Sequence, residues 1–136
     1  MQKAYKTLTF LKHLLPAIIW GVGVLIVLSI PSDSIPESKL LNIEHIDKGV
    51  HFVLFFVFSL LLCFGFFKQQ IIGALNKNYV IYAFLISVLY GGLTEFLQFA
   101  WFESRSGNIF DFFANTVGAI AGVLGFYLFV KNAQYK

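Results

Sequence analysis

One cysteine, three prolines and little charge leave this chain few of the devices that hold small proteins together in water. With Cys63 alone, no disulfide closes within the chain and no cysteine-based zinc site is available. Lying in an apolar run, Cys63 reads as a packing residue. Charged residues are 12% of 136, about half the share of a soluble domain, while hydrophobic residues reach 58% and the mean hydropathy is +0.77. That composition excludes disorder and argues against a water-soluble globule. Arg105 is the single arginine, and with no basic arm the net charge of +3 does not point to nucleic acid. A phosphate-cradling glycine loop, a Gly-x-Ser-x-Gly elbow and a His-Glu-x-x-His pair are all absent.

What is abundant is aromatic and apolar: 17 Phe, 6 Tyr and 2 Trp would overfill one small core but suit side chains facing lipid or its interface. A spanning helix needs roughly 20 apolar residues. Four runs meet or approach this, predicting helices over about 10–30, 47–67, 79–102 and 109–130, with Pro16 near the start of the first. The links carry breakers: Pro31, Ser34 and Pro36 in the first, Gly73 and Asn76 in the second, Ser106 and Gly107 in the third. Leu40, Leu41, Ile43 and Ile46 suggest that part of the first link lies on the membrane surface. The expected fold is all-α: one integral-membrane antiparallel four-helix bundle spanning 1–136.

Charge sets the expected orientation, because Lys and Arg in short loops stay cytoplasmic. Lys3, Lys6, Lys12, Lys68, Lys77, Lys131 and Lys136 fall on the side of the termini and middle link, against Lys39, Lys48 and Arg105 opposite. Both termini are therefore expected in the cytoplasm, and all seven carboxylates fall on or toward the outer side. Lys3, Lys6 and Lys12 ahead of an apolar stretch also resemble a signal peptide. The run is long for one, however, and no Ala-x-Ala type cleavage site precedes Pro31.

Ionisable groups inside a spanning helix cost a few kcal/mol or more and usually face a protein interior or a watery cavity. Here they gather toward one end of three runs: Asp47, Lys48 and His51; Glu95 and Gln98; Asp111 and Asn115. Asp47/His51 and Asp111/Asn115 are four apart and Glu95/Gln98 three apart, so each pair shares a helix face. Glu95, His51 and Asp111 are the candidates for acid–base chemistry, with Arg105, Lys48, Asp47, Gln98 and Asn115 as candidate ligand-binding residues. Arg105 is the best anion-binding candidate, since a guanidinium offers phosphate or carboxylate a two-point contact; tethering the loop by an ion pair is its plainer role. Asp47, Asp111 and Asn115 also suit helix capping, and a metal site of His51, Glu95 and Asp111 is the weaker chemical alternative. No metal or cofactor is assigned. His13 and His45 read as interfacial. Gly118 and Gly122 form a small-xxx-small packing face, which two copies of the chain would use if they paired.

In order and spacing, Asp47-Lys48-Gly49-Val50-His51-Phe52, Glu95-Phe96-Leu97-Gln98, then Arg105, Asp111, Asn115 and Gly118 resemble the VanZ-like family of small bacterial membrane proteins. The resemblance runs from about residue 47 to 122 and marks the whole chain as one VanZ-like transmembrane domain. It implies a multi-pass protein of the bacterial cytoplasmic membrane. The founding member sits in a glycopeptide-resistance gene cluster associated with teicoplanin resistance; teicoplanin acts on lipid-linked wall precursors outside that membrane. The resemblance carries over no catalytic residue. The leading expectation is an outward-facing polar pocket for an anionic lipid headgroup or a lipid-linked envelope precursor, with Arg105 and Lys48 on phosphate. A proton- or ion-coupled transporter and a non-enzymatic membrane scaffold are the alternatives.

Overall fold

The computed structural model describes the backbone of residues 2–30, 46–101 and 108–131, and side chains within 7–30, 46–101 and 108–129. The described residues form α1 (Gln2–Ser29), α2 (Ile46–Lys68), a short α3 (Gly73–Lys77), α4 (Tyr79–Trp101) and α5 (Ile109–Gly125), the last running into a π-helical segment, Phe126–Lys131. Four stretches, Thr7–Ser29, Ile46–Lys68, Tyr79–Trp101 and Ile109–Phe129, are long and apolar enough to cross a membrane. At about 1.5 Å per residue a 23-residue span covers roughly 34 Å, matching the hydrocarbon layer.

α1 starts well before the expected boundary and continues through Pro16, which lies inside the helix and not near its start. Only one backbone donor is lost there, and residues 2–13 hold no breaker that would stop a helix. The second link is also more ordered than its Gly73 and Asn76 suggest. Gln69, fully buried, folds its amide over the turn: Oε1 accepts from the N–H groups of Ile71 (3.1 Å) and Ile72 (2.9 Å), and Nε2 donates to the Ile72 carbonyl (3.0 Å). Asn76 Nδ2 donates to the Phe67 carbonyl at 2.6 Å, fastening α3 to the end of α2.

Successive spans run antiparallel. Leu14 meets Gly65 and Gly21 meets Phe58 across α1/α2; Phe55 meets Tyr90 across α2/α4; Gly92 meets Phe112 across α4/α5. α2 is the central helix, touching α1, α4 and α5, whereas α1 and α5 do not meet among the described residues. The tightest pair is α2 with α5, which are not neighbours in sequence and run parallel: His51 lies beside Asn115, Phe52 beside Gly118, and Phe56 and Ser59 beside Gly122. A Cβ on Gly118 would overlap the Phe52 carbonyl, and one on Gly122 would overlap Ser59 Oγ and the Phe56 carbonyl. Only glycine admits that approach. The Gly118/Gly122 face is thus filled by α2 of the same chain, and any contact between copies falls to other surfaces.

The core is aromatic and aliphatic, drawing Phe55, Phe58, Leu62 and Phe66 from α2 and Leu14, Ala17, Val24 and Leu28 from α1. One end of the bundle is closed by Phe67, Tyr79 and Phe126, whose ring centroids lie 5.3 to 5.7 Å apart with edge-to-face geometry. Outside, Ile19, Ile26, Leu89, Phe99 and Phe129 are each more than 60% exposed, a surface suited to lipid and far too apolar for water. The polar residues gather at the end opposite the Phe67–Tyr79–Phe126 cluster.

Candidate functional site

Three helices bring the polar layer together. His51 lies five residues into α2, Glu95 six before the end of α4 and Asn115 six into α5, so each is about 8 to 9 Å from its helix terminus at that end of the bundle. All three are nearly closed off, at 3%, 9% and 1% exposure. Asn115 is the hinge of the arrangement. Its Nδ2 donates to Glu95 Oε1 at 3.2 Å and its Oδ1 lies 2.9 Å from His51 Nδ1. A carboxylate only accepts, which turns the amide nitrogen toward Glu95 and leaves the oxygen for His51. An amide oxygen also only accepts, so Nδ1 carries the ring proton and Nε2 is the basic nitrogen of a neutral His51. His51 Nδ1 is also 3.5 Å from Glu95 Oε1, which places the imidazole within ion-pair reach of the carboxylate.

Burying a carboxylate is costly unless donors replace its water. Glu95 has a second one: its Oε2 accepts from the backbone N–H of Asn108 at 3.1 Å. Asn108 is itself the N-cap of α5, its side chain accepting from the Phe110 N–H at 3.0 Å. The carboxylate therefore sits at the positive end of the α5 dipole, held by donors from two points along that helix.

Closer to the helix ends, Lys48 Nζ lies 3.2 Å from Asp47 Oδ2 and 3.7 Å from Asp111 Oδ1. Asp47 is largely exposed; Asp111 is buried, and its Oδ1 makes no hydrogen bond among the described residues. An ammonium has three donors; Lys48 gives two to the Asp47 oxygens, at 3.4 and 3.2 Å, which leaves one for a further acceptor. The layer thus has an inner part, His51–Asn115–Glu95, and an outer part, Asp47–Lys48–Asp111.

Seven of the eight residues singled out in the sequence lie among the described ones, and five of them, Lys48, His51, Glu95, Asp111 and Asn115, meet in this layer. Asp47 reaches it only through Lys48. Gln98 is buried but turns to α1, its Nε2 donating to the Leu28 carbonyl at 3.0 Å. It therefore fastens helices and does not line the layer. Arg105 lies outside the described residues, as does His45. Among the described residues no group of three or more His, Cys, Asp and Glu side chains is placed to hold a metal ion. His51 and Glu95 are bridged by Asn115 while Asp111 faces Lys48, so the three do not assemble as a ligand set. The residue that sequence reasoning passed over is Asn108. Its position just ahead of an apolar run is an N-cap signal, but nothing in the sequence shows its N–H meeting Glu95 thirteen residues earlier.

Beside Glu95 a groove of about 290 Å³ runs between α4 and α5, lined by Gly92, Glu95, Phe96, Phe99, Asn108 and Phe112. Among the described residues Glu95 is the one ionisable residue lining it. Phe96 and Phe99 are 59% and 76% exposed, so the groove lies on the outward face of the bundle.

Four membrane-length helices around a buried, hydrogen-bonded polar layer define a multi-pass helical membrane protein. The VanZ/LLP1 family profile matches residues 6–130, nearly the whole chain, and the protein belongs to that family. No curated protein and no solved structure gave a significant match.

Proposed function

We propose that the polar layer receives the headgroup of an anionic amphiphile, a phospholipid or a lipid-linked precursor of the cell envelope, at the outer leaflet of the bacterial cytoplasmic membrane. The observation that carries this reading is the gathering of Lys48, His51, Glu95, Asp111 and Asn115, from three helices, in two adjoining tiers near one end of the bundle. The lysine distribution favours the outside for that end: seven of the ten basic residues belong to the opposite side. Lys48 supplies phosphate with a remaining donor and Arg105, three residues before Asn108 in the chain, supplies a planar one. His51, oriented by Asn115 through Nδ1, offers Nε2 as a proton acceptor to whatever the layer holds, the arrangement by which a positioned imidazole serves as a general base.

A scaffold reading has one observation of its own: both Glu95 oxygens already accept from protein donors. The two readings separate on lipid retention. Purified protein in nanodiscs, released into the gas phase, should keep phosphatidylglycerol in preference to phosphatidylcholine. The double variant Lys48→Gln/Arg105→Gln should lose that preference while keeping the wild-type helical content by circular dichroism. Equal retention of both lipids by the wild type, or an unchanged preference in the double variant, removes the headgroup reading and leaves the scaffold.

A further inference from the structure

The groove between α4 and α5 adjoins the polar layer at Glu95 and includes the exposed side chains of Phe96 and Phe99. Its exposed walls, Phe96, Phe99 and Ile109, lie on the surface suited to lipid, and its one charged wall among the described residues is a carboxylate. A second groove of about 290 Å³, wholly apolar and lined by residues that include Val80, Phe84, Ile120 and Leu124, lies along the same α4/α5 seam toward the far end. The seam thus carries two separate grooves, a wholly apolar one toward the far end and one that meets a polar wall at Glu95.

The hydrogen bonds at that wall select what fits. An ionised carboxylate has about four acceptor sites. The Asn108 N–H and Asn115 Nδ2 each take one, and His51 Nδ1 stands 3.5 Å away, so Glu95, which lines the groove, keeps acceptor capacity. A phosphate placed directly there would meet like charge; a hydroxyl would donate to it.

We infer that the α4/α5 groove is a lateral port for a lipid whose headgroup carries hydroxyl donors beyond its phosphate, a polyol or sugar phosphate ester. Its chain lies along the seam and a headgroup hydroxyl donates to Glu95. This rests on the headgroup reading above and extends it: Lys48 serves the phosphate, and Glu95 with the groove serves the polyol and admits it from the membrane.

Gly92 supplies the test. A Cβ there meets only Phe112, at an ordinary 3.6 Å, so Gly92→Leu is tolerated by the backbone while its outer carbons fill the groove. Retention in nanodiscs is compared for phosphatidylglycerol, phosphatidylethanol and phosphatidylcholine; the second has the same single negative charge as the first but no hydroxyl. The wild type should hold phosphatidylglycerol on the order of ten-fold better than phosphatidylethanol, the effect of one hydrogen bond to a charged acceptor. Gly92→Leu should lose that advantage at an unchanged unfolding temperature, and Glu95→Gln should narrow it. Equal binding of phosphatidylglycerol and phosphatidylethanol, both above phosphatidylcholine, overturns the polyol port and spares the anionic-headgroup reading. Equal binding of all three overturns both. A Gly92→Leu protein that folds and keeps full discrimination overturns the lateral route.

Discussion

Gly118→Ala adds one carbon at one of the two glycines, Gly118 and Gly122, where α5 presses on the α2 backbone. The new Cβ overlaps the Phe52 carbonyl and lies 3.1 Å from Phe52 Cα, backbone atoms that cannot rotate out of the way. α2 must step back from α5. Alanine returns about 1 kcal/mol through its helix propensity, but overpacking against a rigid neighbour costs about 1 to 3 kcal/mol. The retreat also stretches the 2.9 Å bond between His51 and Asn115, less than one turn away, at about 1 kcal/mol for a hydrogen bond lost. The upper part of that range applies here because the obstruction is backbone, giving a net loss of about 2 to 3 kcal/mol, or roughly 30- to 150-fold in the unfolding equilibrium. The control is Gly92→Ala, whose Cβ finds ordinary contact and which should match or exceed the wild type by up to about 1 kcal/mol. Unfolding followed by far-UV circular dichroism in detergent titrated with sodium dodecyl sulfate reads both. A Gly118→Ala protein as stable as wild type, or a Gly92→Ala protein equally damaged, would refute the close α2/α5 contact.

Asn115→Leu keeps approximate volume but deprives Glu95 Oε1 and His51 Nδ1 of their shared partner. With about 1 to 3 kcal/mol for each of the two buried groups left unmatched, a loss of about 2 to 6 kcal/mol is expected in the same titration, and a loss below about 0.5 would contradict the bridge. Gln98→Leu removes only the bond to Leu28, so it should cost about 1 kcal/mol and leave lipid preference untouched; a changed preference would place Gln98 in the layer after all. Cys63 has 0% exposure and should stay unlabelled by a membrane-impermeant maleimide in the folded protein. In that silent background Arg105→Cys should label from outside intact cells, and labelling confined to opened cells would reverse the orientation.

The four spans were legible because a membrane writes its thickness directly into the length of apolar runs. The shared depth of His51, Glu95 and Asn115 was legible too, since a rise per residue and a common end are enough to estimate it. Partners were harder. Asn115 reads equally well as a cap or as a pocket residue, and only its position against both α2 and α4 makes it a bridge. Gln98 shares a helical face with Glu95 by spacing, yet three residues span about 300° of rotation at 3.6 residues per turn. That offset suffices to aim Gln98 at α1. Gln69 showed nothing in sequence, because its role depends on a turn whose carbonyl and N–H groups happen to close around one amide. Pro16 misled for a related reason: the rule that proline ends helices is weak where lipid offers a freed backbone no better alternative.

The partnership of α2 with α5 bears on how the protein is made. Ribosome and translocon deliver α2 to the bilayer about sixty residues of synthesis before α5 emerges, at some 5 to 20 residues per second. Throughout that interval His51 and Lys48 have neither Asn115 nor Asp111 to meet, and the groove that Gly118 and Gly122 will fill stands open to lipid. A nascent chain halted after α4 should therefore be a ready client for membrane quality control, and its rescue should require the last helix supplied on time, even as a separate piece.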